Sequence, residues 1–591
     1  MTKRIRVALL GGVLAAVTLA ACSSNGDNSK SSAPEGYNAA LQGVVNPSQQ
    51  PGGTLRVGTS ASCDNFDPGT TYGGSCWFLQ RLLSRNLVSF GRTGQGAASG
   101  NGNALQPDLA ESLGQTNADK TVWTYKLRDG LKFANGAPLT SADVKYGFER
   151  MYATDVITGG PQGYYLCLLD KCDKAGTPAY KGPYKDPSGG LTSIATPDAK
   201  TVVFTLTKPF GDWDYLMALP AAAPVPQKSD KGSQYGAGTN LVSSGPYVLK
   251  TVKPKQSVVM TRNANWDRAT DPIRSALPDT INVTVLSNAD DLDTRLKTGA
   301  LDVSLDGGVQ TTFQSQILKD QTLKAHADNP VLKSLSMLIL YPSDAVLTNV
   351  HCRRAVAYAL DKRDLVIQFG GTNGADFATT LMPPGLPGHD DKANAYPSGQ
   401  DWTGDLDKAK SELSECGKPD GFTTSMAFSN YGTDPAVFAS VQNALKRVGI
   451  AVTPKQLDAS TYYNTLSTPA AVKGQRIGIG LMGWIPDYPS GNGFLTLLVD
   501  PARYSGTTSS TNFVGLNDPT INALIEKAAT ASSDKLPDIY RDMDKATMET
   551  AYYLPLTYAK ATLYRSSTLT NVDLTGDLSN YDLANVGVKA Q

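Results

Sequence analysis

The sequence predicts an α/β protein built from more than one lobe, and three observations carry that expectation. Alternating strand patterns and helical stripes are interspersed along the whole chain instead of being segregated into blocks. At 591 residues the chain exceeds what a single hydrophobic core usually serves, so two or three lobes are expected. The first 21 residues read as an export signal, which fits a fold matured in an oxidising compartment.

In that signal, Lys3, Arg4 and Arg6 precede Val7 to Ala20, an apolar run interrupted by Gly11, Gly12 and Thr18. Such a run is too short to span a bilayer comfortably. It ends in Leu19-Ala20-Ala21-Cys22, small residues before a cysteine that resemble a bacterial lipobox. The resemblance implies removal of residues 1–21 and lipidation of Cys22, whose acyl chains each hold to the membrane with about 0.8 kcal/mol per buried CH2. The alternative is an ordinary signal peptide with an incidental Cys22. Residues 22–51 then read as a lipid-anchored flexible linker; Ser23 to Pro34 is polar and lacks an apolar pattern.

Lys and Arg number 54, as do Asp and Glu, so no global field steers the chain to nucleic acid or to an anionic bilayer. No basic run is interleaved with aromatics, and no nucleic-acid partner is expected. After the signal no apolar stretch approaches the roughly 20 residues of a spanning helix. Apart from Cys22 the cysteines form an even set, which reads as up to three disulfides. Cys63 with Cys76, and Cys167 with Cys172, are near enough in sequence to close small loops. Cys352 and Cys416 fall on the apolar stripes of two helical patterns, which predicts a bond between them; two buried free thiols are the alternative. No CxxC pair has metal spacing, and no metal or cofactor is expected.

The fold proper is expected to begin near Gly52. Gly53 to Gly58 alternates as a strand, and Leu82, Leu83, Leu87 and Val88 suggest a short helix or strand behind it. Gly91 to Asn103 is a glycine-rich loop without the P-loop pattern. Trp123, Tyr125 and Leu127 alternate with polar residues as a half-buried strand, followed by a turn at Asp129-Gly130. Thr140 to Asp143 forms a capping box that opens a helix with Val144, Phe148 and Met151 on its apolar face. Further strands are expected at Val202 to Leu206 and Ile281 to Val285. In the second half, Val437, Val441, Leu445 and Val448 make a stripe ended by Gly449, and Ile450 to Val452 reads as a strand. Asp518-Pro519 starts a helix carrying Ile521 and Leu524, and a helix through Ile539 and Met543 is expected to stop at Pro555.

Several blocks together resemble family 5 of the bacterial solute-binding proteins, the peptide class of ATP-binding-cassette (ABC) importer receptors. They are Leu105-Gln-Pro-Asp-Leu-Ala-Glu-Ser-Leu113, Trp123 to Gly136, Leu139 to Val144, Ser244-Gly-Pro-Tyr247, Arg262-Asn263, Gly299 to Asp302, Arg353 to Asp361, Gly483-Trp484 and Tyr553-Leu-Pro555. Their order matches the family from about Gly52 to Ala559. Most read as structural: in Ser244-Gly-Pro-Tyr, for example, Gly245 is expected to take a special backbone angle.

The resemblance implies a two-lobed, periplasmic-binding-protein-like α/β fold (type II, cluster C) with an extra subdomain in lobe I. It places lobe I at 52–302 with the subdomain at about 93–190, lobe II at 303–553 and a return to lobe I at 554–591, with hinges near Val303 and Tyr553. It implies ligand-binding roles in the block Gly483 to Asn492: Asp487 for the α-ammonium group of a peptide, Trp484 as an aromatic wall, and Tyr488 beside them. For Asp487 a turn-capping role is the alternative, and for Trp484 plain core packing. Where some tripeptide-binding relatives carry an arginine six residues before the aspartate, this chain has Leu481, so a clamp of fixed length is not expected. The implied protein is a monomeric lipoprotein that captures a peptide and delivers it to ABC permease subunits. The alternatives are the same fold with a non-peptide solute (a metal complex, haem or an oligosaccharide), or a signal receptor. A cell-surface hydrolase is disfavoured, because His326, His351 and His389 are scattered and lack a neighbouring catalytic motif.

Overall fold

The computed structural model describes residues 35–63, 65–91, 104–174, 176–186, 190–575 and 579–589. The signal, Cys22, the Ser23 to Pro34 tether and nearly all of the glycine-rich loop at 91–103 lie outside the described residues. Two large sheets with separate cores define two lobes. The sheet of lobe I has five strands in the order Val303–Ser304, Thr54–Thr59, Thr280–Val285, Ser257–Arg262, Tyr247–Lys253; the first three are mutually parallel. Leu55, Val57, Ile281 and Val283 project from it into the lobe I core. The sheet of lobe II has six strands in the order Ala375–Phe377, Tyr553–Lys560, Val331–Leu340, Ile479–Trp484, Thr423–Ser429, Ala451–Leu457, the last three mutually parallel. Met337, Ile339, Met426 and Ile479 anchor its core.

The extra subdomain is a four-stranded antiparallel sheet with its own aromatic core. Val122–Lys126 pairs with Thr201–Thr205 and buries Trp123 and Tyr125 on one face, with Lys126 exposed. The helix Ser141–Arg150 opens on the expected capping box; the Asp143 carboxylate accepts from the Thr140 N–H at 2.8 Å. The helix Pro519–Thr530 likewise starts on Asp518, which accepts from the N–H groups of Thr520 and Ile521.

The structure moves several expected boundaries. Residues 36–48 are docked, not a free linker: Ala39 and Ala40 are buried, the Ala40 N–H donates to Asp328 at 2.8 Å, and Val45 pairs with Val572. Four-residue helices such as Ala39–Gln42 are too short to leave a periodic signal. Val303–Ser304 belongs to lobe I, and Ala327–Asp328 pairs with Leu563–Tyr564, so by sheet membership the chain crosses near residues 329–330 and 561–562 instead of at Val303 and Tyr553. The subdomain extends past residue 190, since Thr201–Thr205 and Trp213 lie in its sheet and core.

Pro555 does not stop a helix. The helix Leu536–Thr550 ends at Ala551 in the left-handed region (φ 54°), and Pro555 lies inside the strand Tyr553–Lys560. Its missing N–H is tolerated there because the pairing register shifts between Ser336 and Met337, opposite Pro555. Gly245 has no unusual φ; it is required because a Cβ would lie 2.5 Å from the Leu82 carbonyl oxygen.

The signature Leu105-Gln-Pro-Asp supplies the hub of a buried ion-pair cluster. Asp108 binds Arg85 at 2.8 Å and Arg274 at 2.9 Å, and Arg274 also binds Asp271 at 3.2 Å. All four side chains are at most 2% exposed, and the two guanidinium groups hold the Asp271 carboxyl far below its usual range despite burial. Asp108→Asn leaves both arginines short of charge in a dry site; chemical denaturation is expected to show a loss of about 3 kcal/mol or more, and an unchanged midpoint would contradict the cluster's role.

Candidate ligand-binding cleft

In open parallel sheets ligands sit beyond the carboxyl ends of the strands. In lobe I those ends lead into Ser60 and into the segment Leu305 to Gln310, and in lobe II into Trp484 to Asp487. Between them lies a cleft of about 700 Å³ lined from both sides, with Ser60, Phe78 and Leu305 facing Phe369 and Ile485. Its charged lining residues are Asp306 and Lys560. Asp306 is engaged by the Thr59 hydroxyl and the Ser60 N–H, each at 3.0 Å, and Lys560 pairs with Asp376 at 3.3 Å. Gly74, Gly307, Gly308, Gly370 and Gly374 also line it, so main-chain groups are approachable from the cleft.

Asp487 follows the cleft-lining Ile485 by two residues and stands where lobe II touches lobe I. Its carboxylate accepts from the hydroxyl of Tyr72 at 2.7 Å and from the hydroxyl of Tyr164, both lobe I residues. Burial, reinforced by the Asp487 charge, pushes both phenols well above their ordinary pKa, so each stays a donor. No salt bridge reaches Asp487 among the described residues. The carboxylate also lines a small pocket of about 40 Å³ with Trp77, Asn86 and Leu219.

Trp484 is half-buried; its indole N–H donates to the Phe494 carbonyl at 3.0 Å and its ring meets Phe513 edge-on at 5.8 Å. Next to it Ile485 is 68% exposed. Tyr488 is 1% exposed, stacked on Tyr215 and edge-on to Tyr164, and its hydroxyl donates to Asn492 at 2.8 Å. It packs in the core of the lobe I subdomain although it is carried by lobe II.

Two disulfides flank the segments that reach Asp487. Cys63–Cys76 brackets Tyr72, and Cys167–Cys172 begins three residues after Tyr164; Cys352–Cys416 joins two helices of lobe II. The three histidines are engaged separately: His351 with Glu412 at 2.7 Å, His389 with the Met382 carbonyl and Asp391, and His326 beside Arg565. Among the described residues no group of three or more His, Cys, Asp or Glu is placed to hold a metal ion, and no helix is long and apolar enough to cross a membrane. Tyr72 and Tyr164 left no mark in the sequence, because Tyr72 sits in a loop and Tyr164 in the three-residue helix Gln162–Tyr164, both too short for periodicity.

Two lobes around a lined cleft define a solute-capture protein. The sequence profile of bacterial extracellular solute-binding proteins, family 5 (middle region), matches residues 104–506, and the chain belongs to that family. It is 24% identical over 509 residues to the probable D,D-dipeptide-binding periplasmic protein DdpA of Escherichia coli (strain K12), covering 85% of this chain and 88% of the relative. It is 24% identical to the oligopeptide-binding protein OppA of Bacillus subtilis (strain 168), covering 70% and 72%. Among solved structures, clavulanic acid biosynthesis oligopeptide binding protein 2 superposes with a TM-score of 0.88 at 40% identity, over 94% of this chain and 99% of that one. HbpA2 from Haemophilus parasuis shares the fold, with a TM-score of 0.73 at 18% identity, over 91% and 100%.

Because Tyr164 donates to a charged acceptor across the lobe junction, Tyr164→Phe is expected to shift the lobes toward the open form by about 1.5 kcal/mol. Small-angle X-ray scattering should record a larger radius of gyration; an unchanged radius would count against the contact.

Proposed function

We propose that the protein captures a peptide between its lobes, holding the peptide's α-ammonium group on Asp487, and passes it to the permease subunits of an ABC importer. The observation that carries this reading is the Asp487 carboxylate, two residues beyond the cleft-lining Ile485 and met by neutral hydroxyls from the opposite lobe. An ammonium group there forms a charge-assisted bond in a partly dry site, stronger than the hydroxyl contacts it joins. Ile485 and the half-buried Trp484 offer apolar surface to the adjoining side chain. The glycine-rich lining suits main-chain hydrogen bonding to an extended peptide, which gives affinity with little dependence on side chains. The names of the relatives above, which bind dipeptides and oligopeptides, support the same ligand class. Closure follows because only the closed state offers contacts from both lobes.

The protein acts as a monomeric receptor rather than as an enzyme, held at the outer face of the membrane by lipid on Cys22. Cell fractionation of Cys22→Ser is expected to move the protein from the membrane fraction into the medium, and retention in the membrane would refute the anchor. Calorimetric titration with a mixed peptide library should show binding that N-terminal acetylation of the peptides abolishes. Asp487→Ala should weaken that binding by about 2–5 kcal/mol, the cost of truncating one half of a buried charge pair. Failure of every peptide to bind would overturn the ligand class, whereas equal affinity in the variant would overturn only the role of Asp487.

A further inference from the structure

A second lobe-to-lobe contact uses Ser490, a near neighbour of Asp487 in the chain, but has different chemistry. Asp212, which precedes the subdomain helix Trp213–Ala218, is 3% exposed. It accepts from two lobe II hydroxyls, Ser490 at 2.5 Å and Tyr540 at 3.2 Å. Both donors use the same oxygen, Oδ2, and Oδ1 is buried without a partner. No salt bridge reaches this carboxylate among the described residues.

Its surroundings do not favour a negative charge. On its own helix, Asp214 is engaged by the Tyr125 hydroxyl at 2.7 Å and the Gly114 N–H at 3.0 Å. The phenols of Tyr215, Tyr488 and Tyr540 surround it and stay protonated, their pKa values raised mainly by burial. Gly211 packs against the carbonyl oxygens of Ala528, Ala529 and Ala531 at the end of the helix Pro519–Thr530, the negative end of that helix dipole. Asp212 itself lines an adjoining gap of about 380 Å³, shared with the cations Lys208 and Arg503 and the anions Asp500 and Glu526. A buried carboxylate with one unsatisfied oxygen is therefore costly while ionised, and the two hydroxyls that cover it both come from lobe II.

We propose that lobe closure takes up one proton on Asp212 and that opening releases it, so that the cleft holds its solute more tightly in acid. The proton comes from solvent and is placed on Oδ1, the oxygen without a partner, while Oδ2 keeps both hydroxyl bonds; on opening it returns to water as the carboxylate rehydrates. Burial raises the Asp212 pKa to about 6 with the lobes in contact, opposed by the Ser490 and Tyr540 bonds and aided by Asp214. A carboxyl raised in the closed state favours closure fully below its open-state pKa, and the effect fades as pH climbs through the closed-state value. From about pH 8 to about pH 5 the closed-to-open ratio is expected to rise about tenfold. The linkage holds whatever solute fills the cleft, so it stands or falls separately from the peptide reading.

Single-molecule energy transfer between dyes on the exposed residues Lys253 of lobe I and Lys446 of lobe II measures that ratio in the ligand-free protein. The wild type should show the tenfold change with a midpoint between the open-state and closed-state pKa values, and Asp212→Asn, which is neutral at every pH, should show none. Ser490→Ala is the second variant: by removing a donor to the ionised form it should move the midpoint to higher pH. A flat wild-type profile, the same profile in Asp212→Asn, or an unmoved midpoint in Ser490→Ala would overturn the proposal.

Discussion

The structure depends on one constraint: the segment from Ile485 to Gly493 must belong to two bodies at once. It leaves the lobe II sheet at Trp484, yet Tyr488 ends in the aromatic core of the lobe I subdomain, between Tyr164 and Tyr215. Burying one such ring is worth about 2–3 kcal/mol, and that energy is available only when the lobes meet. The turn that makes this possible needs glycine twice. A Cβ on Gly491 would overlap the Tyr540 ring, and one on Gly493 would lie 2.6 Å from the Tyr488 carbonyl oxygen. The positions of Asp487 and Ser490 follow from the same path, since they flank the anchored ring on either side.

The rest of lobe I gives that anchor something firm to meet. The Arg85, Asp108, Asp271 and Arg274 cluster is sealed from water, and a second cluster joins Arg150 to Asp67 at 2.7 Å and to Asp230 at 3.1 Å. Such clusters contribute little net stability compared with apolar packing, but breaking them is expensive, which suits surfaces that must keep their shape as a partner lobe comes and goes. Lobe II relies instead on a larger apolar core and on the Cys352–Cys416 link.

Local elements were legible in the sequence because their signals are local. The alternation of Trp123 and Tyr125, the Thr140 capping box and the Asp518-Pro519 helix start all stand where periodicity and capping chemistry put them. What failed was non-local. Val303–Ser304 is only two residues long, and its membership of lobe I is set by pairing with a strand about 250 positions earlier. Pro555 reads as a helix stop because the register shift that accommodates it lies on another strand. At the candidate site, Asp487, Trp484 and Tyr488 were singled out through the family resemblance, but the burial of Tyr488 was not legible because a tyrosine beside a cleft and one plugged into a core are the same letter. Tyr72, Tyr164 and Asp212 were invisible, since what distinguishes them is the opposite lobe.

The two short-range disulfides have a consequence for when the protein becomes competent. Cys63–Cys76 closes the loop that presents Tyr72, and Cys167–Cys172 ties down the segment that follows Tyr164. In a reduced chain those loops carry more conformational freedom, and the two hydroxyls must be ordered at an entropic cost before they can converge on one carboxylate. Oxidation of the two pairs thus lowers the entropic cost of bringing both hydroxyls to one carboxylate, and the lobe contact is completed only in the oxidised chain.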